Sequence, residues 1–300
     1  MKHPYLLLVG ATLFWAGNVV LSKAISTDIP PISLAFWRWS IALVVISGFG
    51  GKKVVQDWDR IRQNLPILLP LSLLGITAFN TMIYLALQTT TALNSLLLQS
   101  FQPVVVAVLS YLFLKDRLKK WQVLGIVISL LGTLVLVAKG DLSTLSDTGF
   151  NRGDLWIIAA VVCYATYTVL LKFRPPIHPL SFLMVTFFLG TLMLLPFYIW
   201  EHTYAEPIVW NSAVWMTIAY LGIFPSFISY LFFNEAVRKV GANTAGLFTH
   251  LIPLFGSLMA ILFLGETFYT FHAVGICLTF SGIYLVIKNK VSPKKKKQLQ

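Results

Sequence analysis

Two prolines stand where a recognition site inside a membrane would need them. Pro103 follows Gln99 and Ser100, and Pro253 follows Thr249 and His250. A proline lacks an N–H and frees the carbonyl four residues back, here on Gln99 and Thr249. Both sites lie about nine residues into long apolar runs, which at ~1.5 Å per residue is near the middle of a bilayer. Carbonyls, amides, hydroxyls and one imidazole can hold a solute there by hydrogen bonding. Other polar groups are spaced to join them. Asn80, Tyr84 and Gln88 recur at i, i+4 and i+8, and Tyr230 and Asn234 at i and i+4, so each set forms one stripe on a helical face. Trp15, Asn18, Gln102, Tyr164 and Tyr167 are further candidates. A stripe facing lipid would be penalised, so these groups face a cavity or bond to neighbouring helices.

Such groups need a scaffold that shields them from lipid. Of the 300 residues, 57% are hydrophobic and 11% charged, with a mean hydropathy of +0.78. Soluble domains run near ~25% charged residues because a water-facing surface requires them. The composition therefore predicts an all-α integral membrane protein. A spanning helix needs about 20 mostly apolar residues, and ten such runs fit: 4–25, 31–50, 64–87, 93–114, 121–138, 154–173, 179–200, 211–235, 241–264 and 270–288.

The net charge of +12 does not imply nucleic acid, because the basic residues fall in short clusters between apolar runs. Nineteen of the 23 lie at the N-terminus, the even-numbered breaks and the C-terminal tail, whereas the opposite loops hold only Lys139 and Arg152. This bias places both termini in the cytoplasm and suits a plasma membrane, such as a bacterial inner membrane. The Lys294–Lys297 run reads as a topology signal beside anionic lipid. The apolar run after Lys2 is too long for a cleavable signal peptide and lacks a small-residue cleavage site.

The chain also repeats. At an offset of 150, Tyr84–Lys139 aligns without a gap on Asn234–Asn289, matching Pro103 with Pro253, Asp116 with Glu266, Gly125 with Gly275 and Gly132 with Gly282. Upstream the offset shortens, and Trp15-Ala16 with Lys23 answers Tyr164-Ala165 with Lys172. Each unit holds five helices, an odd number, so the second enters the membrane inverted relative to the first. The expected plan is a repeat over 4–139, a linker over 140–153, a second repeat over 154–289 and a basic cytoplasmic tail over 290–300.

Carried by Trp15-Ala16-Gly17-Asn18 with Lys23, Phe36-Trp37-Arg38, Pro103 with Leu114-Lys115-Asp116-Arg117, Pro253 with Leu264-Gly265-Glu266, and the glycine pairs, the chain resembles paired EamA-type domains of the drug/metabolite transporter superfamily over nearly its whole length. The resemblance implies a central cavity lined mainly by spans 1, 3, 4, 6, 8 and 9 and open alternately to each side. Relatives move amino acids, nucleotide-linked sugars, other metabolites or drugs, so it does not name a substrate. The expected function is a carrier for a small amphipathic solute, working as an exporter, facilitator or exchanger. The expected substrate-binding residues are Trp15, Asn18, Asn80, Tyr84, Gln99, Gln102, Tyr164, Tyr230, Asn234, Thr249 and His250, with Pro103 and Pro253 as hinges. No cofactor or metal is expected; the partners are the solute and lipid, with the chain a monomer or homodimer.

Alternatives stay open at several residues. No Asp or Glu lies mid-span, although the smallest drug-exporting relatives use such a carboxylate to trade protons for substrate. His250 is the titratable candidate for a proton antiporter, set against a structural role. Lys23 snorkels. Arg38 either snorkels, ties to helix-end carbonyls or binds a substrate carboxylate. Asp116 and Glu266 bond helix ends or gate. Cys163 and Cys277 read as small buried hydrophobes. A membrane enzyme would need clustered His and acids, but the five histidines are scattered. A channel would need a continuous polar pore or oligomeric symmetry.

Overall fold

A computed structural model describes residues 3–141, 151–264 and 267–288. Most of the linker, Glu266 and the Lys294–Lys297 run lie outside the described residues. The helices are α1 (Pro4–Ala24), α2 (Pro31–Gln56), α3 (Trp58–Gln63), α4 (Leu65–Ser72), α5 (Phe79–Ala86), α6 (Ala92–Gln99), α7 (Gln102–Leu114), α8 (Lys120–Val137), α9 (Arg152–Leu170), α10 (Pro179–Tyr204), α11 (Ser212–Leu221), α12 (Ser229–Val240), α13 (Ala242–Leu247), α14 (Leu251–Leu264) and α15 (Thr270–Lys288). Prolines open α1, α2 and α10, where the missing N–H loses no helical bond.

Among the described residues nine helical stretches are long and apolar enough to cross a bilayer. The expected ninth run, 241–264, is instead a relay: α13, a 3-10 turn at Phe248–His250, then α14. Gly241 starts it at φ 79°, a left-handed conformation that glycine takes without strain. The outer surface is apolar, with Val44 74%, Phe49 66% and Leu262 75% exposed, which suits lipid rather than water.

Two crossings change their winding midway. A π-helical segment at Leu73–Ala78 joins α4 to α5, and another at Gly222–Ile228 joins α11 to α12. In the second, Pro225 has no N–H to give, and the hydroxyl of Ser226 donates to the Leu221 carbonyl at 2.7 Å. These segments turn backbone carbonyls sideways, which matters for the site below.

The inner crossings pack as α1 on α12 and α5 on α9, with α2 on α10 and α8 on α15 at the flanks. The α8–α15 seam is built on glycine: a Cβ on Gly132 would lie 2.6 Å from the Thr279 backbone nitrogen, and one on Gly275 2.9 Å from the Gly132 carbonyl. Small residues let backbones approach where no water drives helices together.

One carboxylate that the sequence analysis passed over holds the α2–α10 pair. Glu201, near the end of α10, is buried and accepts hydrogen bonds from the backbone N–H groups of Ile32 (3.0 Å) and Ser33 (2.6 Å). These are orphan donors of the first turn of α2, where a negative charge is also favoured by the helix dipole. Glu201→Ala should lower stability by about 2–3 kcal/mol, read as melting temperature in detergent. Glu201→Gln, which keeps an acceptor, should lose less.

Candidate functional site

The interrupted crossings meet at the centre. Span 4 breaks between α6 and α7 at Ser100–Phe101, two residues before Pro103, and the 3-10 turn of the 241–264 relay ends at His250, three residues before Pro253. His250 joins the two breaks. Its Nε2 lies 2.8 Å from the Ser100 carbonyl, an acceptor only, so that nitrogen carries the hydrogen. Nδ1 then accepts from the Ser129 hydroxyl at 2.8 Å. His250 is fully buried and braces α6, α8 and α14 rather than facing open space.

Beside the brace lies a cavity of about 30 Å³, walled by Trp15, Asn18, Val19, Phe79, Asn80, Gln99, Gln102, Tyr164, Tyr230, Thr249 and Ile252. That is room for only one or two waters. Eight of the sequence-predicted residues are in this wall, drawn from six different crossings. Tyr84, Asn234 and His250 are not: Tyr84 bonds to Arg38 and Asn18, Asn234 accepts from the Tyr167 hydroxyl at 2.9 Å, and His250 makes the brace. Gln88, the third member of the Asn80 stripe, falls past the end of α5 and is exposed.

The π-segments supply the sideways carbonyls. Trp15 Nε1 donates to the Pro225 carbonyl at 3.0 Å, and the Tyr230 hydroxyl donates to the Gly75 carbonyl at 2.6 Å. Gly75 must be glycine, because a Cβ there would meet the Tyr167 ring at 2.5 Å. The rings interlock: Tyr164 stacks at a tilt on Phe79 with centroids 4.4 Å apart and meets Trp15 edge-on at 5.8 Å. The wall is thus aromatic and interlocked, with polar tips. Two of those tips, Gln102 Nε2 and the Tyr164 hydroxyl, are buried without a hydrogen-bond partner. An orphaned buried polar atom at a cavity wall is placed to meet a ligand.

Behind the wall sits Arg38, 1% exposed. It neither snorkels nor ties to helix-end carbonyls. Nε donates to Ser226 Oγ at 2.8 Å, and Nη1 donates to Asn80 Oδ1 (2.8 Å), Asn18 Oδ1 (3.1 Å) and the Tyr84 hydroxyl (2.5 Å). The guanidinium also lies over the Trp39 ring, 4.8 Å from its centroid. Lys23 donates to the Leu87 carbonyl at 3.0 Å, tying α1 to the end of span 3. Asp116 accepts from Asn243 Nδ2 at 3.0 Å, a bond between the end of α7 and the start of α13. Cys163 is half-buried and Cys277 is exposed, both as free thiols. Cys277 lies two residues past Gly275, on the side of α15 turned away from the glycine seam, so it is exposed rather than buried.

Larger openings lie towards the two ends. One, of about 460 Å³, is lined by Asp116, Lys172, Arg174 and Arg238 among others, and a second of about 460 Å³ by Lys23, Asp28, Gln88 and Glu206 among others.

Known proteins share this plan. The chain is similar to the uncharacterized transporter YyaM of Bacillus subtilis strain 168, 29% identical over 94% of this chain and 93% of that one. It is also similar to an uncharacterized transporter of Archaeoglobus fulgidus, 28% identical over 95% and 97%. A solved crystal structure superposes with a TM-score of 0.75 over 94% of this chain and 96% of that one, at 20% identity, a likeness of fold alone. The model of the EamA-like transporter family matches residues 3–138 and again 151–288, so this chain, a multi-pass membrane transporter, belongs to the EamA-like transporter family.

Proposed function

We propose that the chain carries a small amphipathic solute across a plasma membrane by alternating access at the central cavity, as an exporter or exchanger that needs no proton. The observation that carries this reading is the cavity itself, walled from both halves where the two interrupted crossings meet, with two polar atoms left unpaired. At about 30 Å³ it is too small for a metabolite, so binding requires the walls to part. Pro103 and Pro253 stand at the breaks about which they would move. His250 is spent on the Ser100 carbonyl and Ser129 hydroxyl and has no face on the cavity, which favours a structural over a coupling role.

Ten crossings as two inverted five-helix repeats, with both termini cytoplasmic, are part of the same proposal; the relay through α13 and α14, ninth in chain order, brings the nine apolar stretches to ten. Support comes from contacts that arrive in mates. Asn80 donates to Tyr230, and His250 to Ser100, each pair 150 residues apart. Residues that touch their own counterparts lie on a two-fold axis. Gly125 meets Gly282 as Gly132 meets Gly275, an antiparallel seam of the same symmetry.

The test uses single cysteines at Gln99 and Thr249, in a background lacking Cys163 and Cys277, in proteoliposomes. A hydrophilic thiol reagent should label each from either side of the membrane, and a solute found by counterflow screening should protect both. A cysteine at Val44 on the outer surface should be indifferent to solute. Labelling from one side only, or protection of neither, would reject alternating access here.

A further inference from the structure

Among the described residues the charge behind the cavity wall has no counter-ion. All four acceptors of Arg38 are neutral: Ser226, Asn18, Asn80 and Tyr84. Among the described residues the carboxylates with ion pairs are engaged elsewhere, Glu235 with Arg174 and Arg238. The other buried acids are also occupied: Asp154 accepts from Thr90, and Glu201 caps α2. A buried cation that meets only neutral dipoles is under-compensated. Two of those dipoles, Asn18 and Asn80, are themselves cavity wall, so the guanidinium stands one hydrogen bond behind the site. The unpaired polar atoms in the wall add to this, since Gln102 Nε2 and the Tyr164 hydroxyl can both donate. Positive potential and spare donors ask for an acceptor-only group, while Trp15, Phe79 and Ile252 offer it an apolar bed. No carboxylate is in the wall to receive an ammonium group.

We infer that the cavity takes an organic monoanion, a carboxylate on an apolar body, in preference to a cation or a zwitterion of the same shape. This rests on the carrier reading, whose site it specifies. The opening at one end, where Lys172, Arg174 and Arg238 outnumber Asp116 and the paired Glu235, keeps an excess of positive charge that would draw such anions towards the site.

The test is a matched set on several apolar bodies, for example 3-phenylpropionate, its amide, 3-phenylpropylamine and phenylalanine. Binding is measured by tryptophan fluorescence in nanodiscs and flux by counterflow in proteoliposomes. The amide keeps one carbonyl acceptor and puts an NH2 donor where the second oxygen was, so the ratio of carboxylate to amide affinity reads the charge together with the acceptor-only character that the wall selects. A ratio on the order of tenfold or more is expected in the wild type, retained in part by Arg38→Lys and lost in Arg38→Gln. Should Arg38→Gln fail to fold, Tyr164→Phe serves, because its hydroxyl holds nothing else in place: carboxylate affinity should fall several-fold with stability unchanged. A ratio near one on every body, or no binding by any carboxylate, overturns the inference. Preferred flux of the amide or amine overturns it while leaving the carrier reading intact. Selective carboxylate binding with no flux of any probe leaves the anion site standing and removes the carrier reading.

Discussion

Gly132→Leu should all but abolish recovery of folded protein, while Gly48→Leu should leave it unchanged. The Gly132 Cβ would lie 2.6 Å from the Thr279 backbone nitrogen and 2.8 Å from the Gly275 carbonyl. Both obstacles are main chain on the facing helix, so no rotamer change relieves them. Overpacking a well-packed contact costs about 1–3 kcal/mol when side chains can yield; with backbone on the far side, about 3 kcal/mol or more is expected. Gly48 meets nothing within 4 Å and replaces one residue of an exposed helical face. The measurement is monodisperse yield after detergent extraction, with melting temperature on whatever survives. Equal behaviour of the two variants would mean that α8 and α15 do not meet through their glycines.

Glu235→Ala should be the second most damaging change, and Arg238→Ala close to silent. Glu235 pairs with Arg174 at 3.1 Å and Arg238 at 2.8 Å. Arg174 and Glu235 have side chains only 6% exposed, whereas that of Arg238 is 63% exposed. Burial already pulls the Arg174 guanidinium below its ordinary pKa, and the Glu235 carboxylate is what opposes it. Removing that carboxylate strands a buried cation, which costs about 3–5 kcal/mol. Removing Arg238 breaks a solvent-facing pair, worth about 0–1 kcal/mol. Arg174→Met with Glu235→Leu should recover most of the loss in melting temperature, because both charges leave together.

Much of this molecule is legible in its sequence, for identifiable reasons. Composition dictates the solvent, and proline at matched offsets marks both interrupted crossings, because a missing N–H acts the same way in any context. Gly125, Gly132, Gly275 and Gly282 are visible as a repeat and turn out to be one seam. The polar stripes place Asn80 and Tyr230 in the cavity wall, but periodicity gives only a face and not a partner. It therefore did not separate Asn80, in the wall, from Tyr84, one turn away on Arg38. For Arg38 the sequence leaves three readings open, because a cation in an apolar run usually escapes to the interface; its four acceptors come from α1, α5 and the Gly222–Ile228 segment, and no local pattern announces them. Glu201 was missed for the same reason: its partners lie 168 and 169 residues away. The π-segments carried a faint signal in Gly75 and Pro225, which interrupt two crossings at the same relative position.

Those two segments have a mechanical consequence. A π-turn holds one residue more than the α-turn it replaces. Relaxing either segment to α-geometry would screw the rest of its helix by roughly 100° and move it ~1.5 Å along its axis. Asn80 follows the first segment by two residues and Tyr230 follows the second by two, and the pair hydrogen-bonds across 3.4 Å. They are therefore teeth on two shafts, meshed at the centre and each mounted next to one tooth's worth of slack. A single indexing step on either shaft would take its tooth out of mesh and present a different face of the helix to the cargo, with nearly every main-chain hydrogen bond still made.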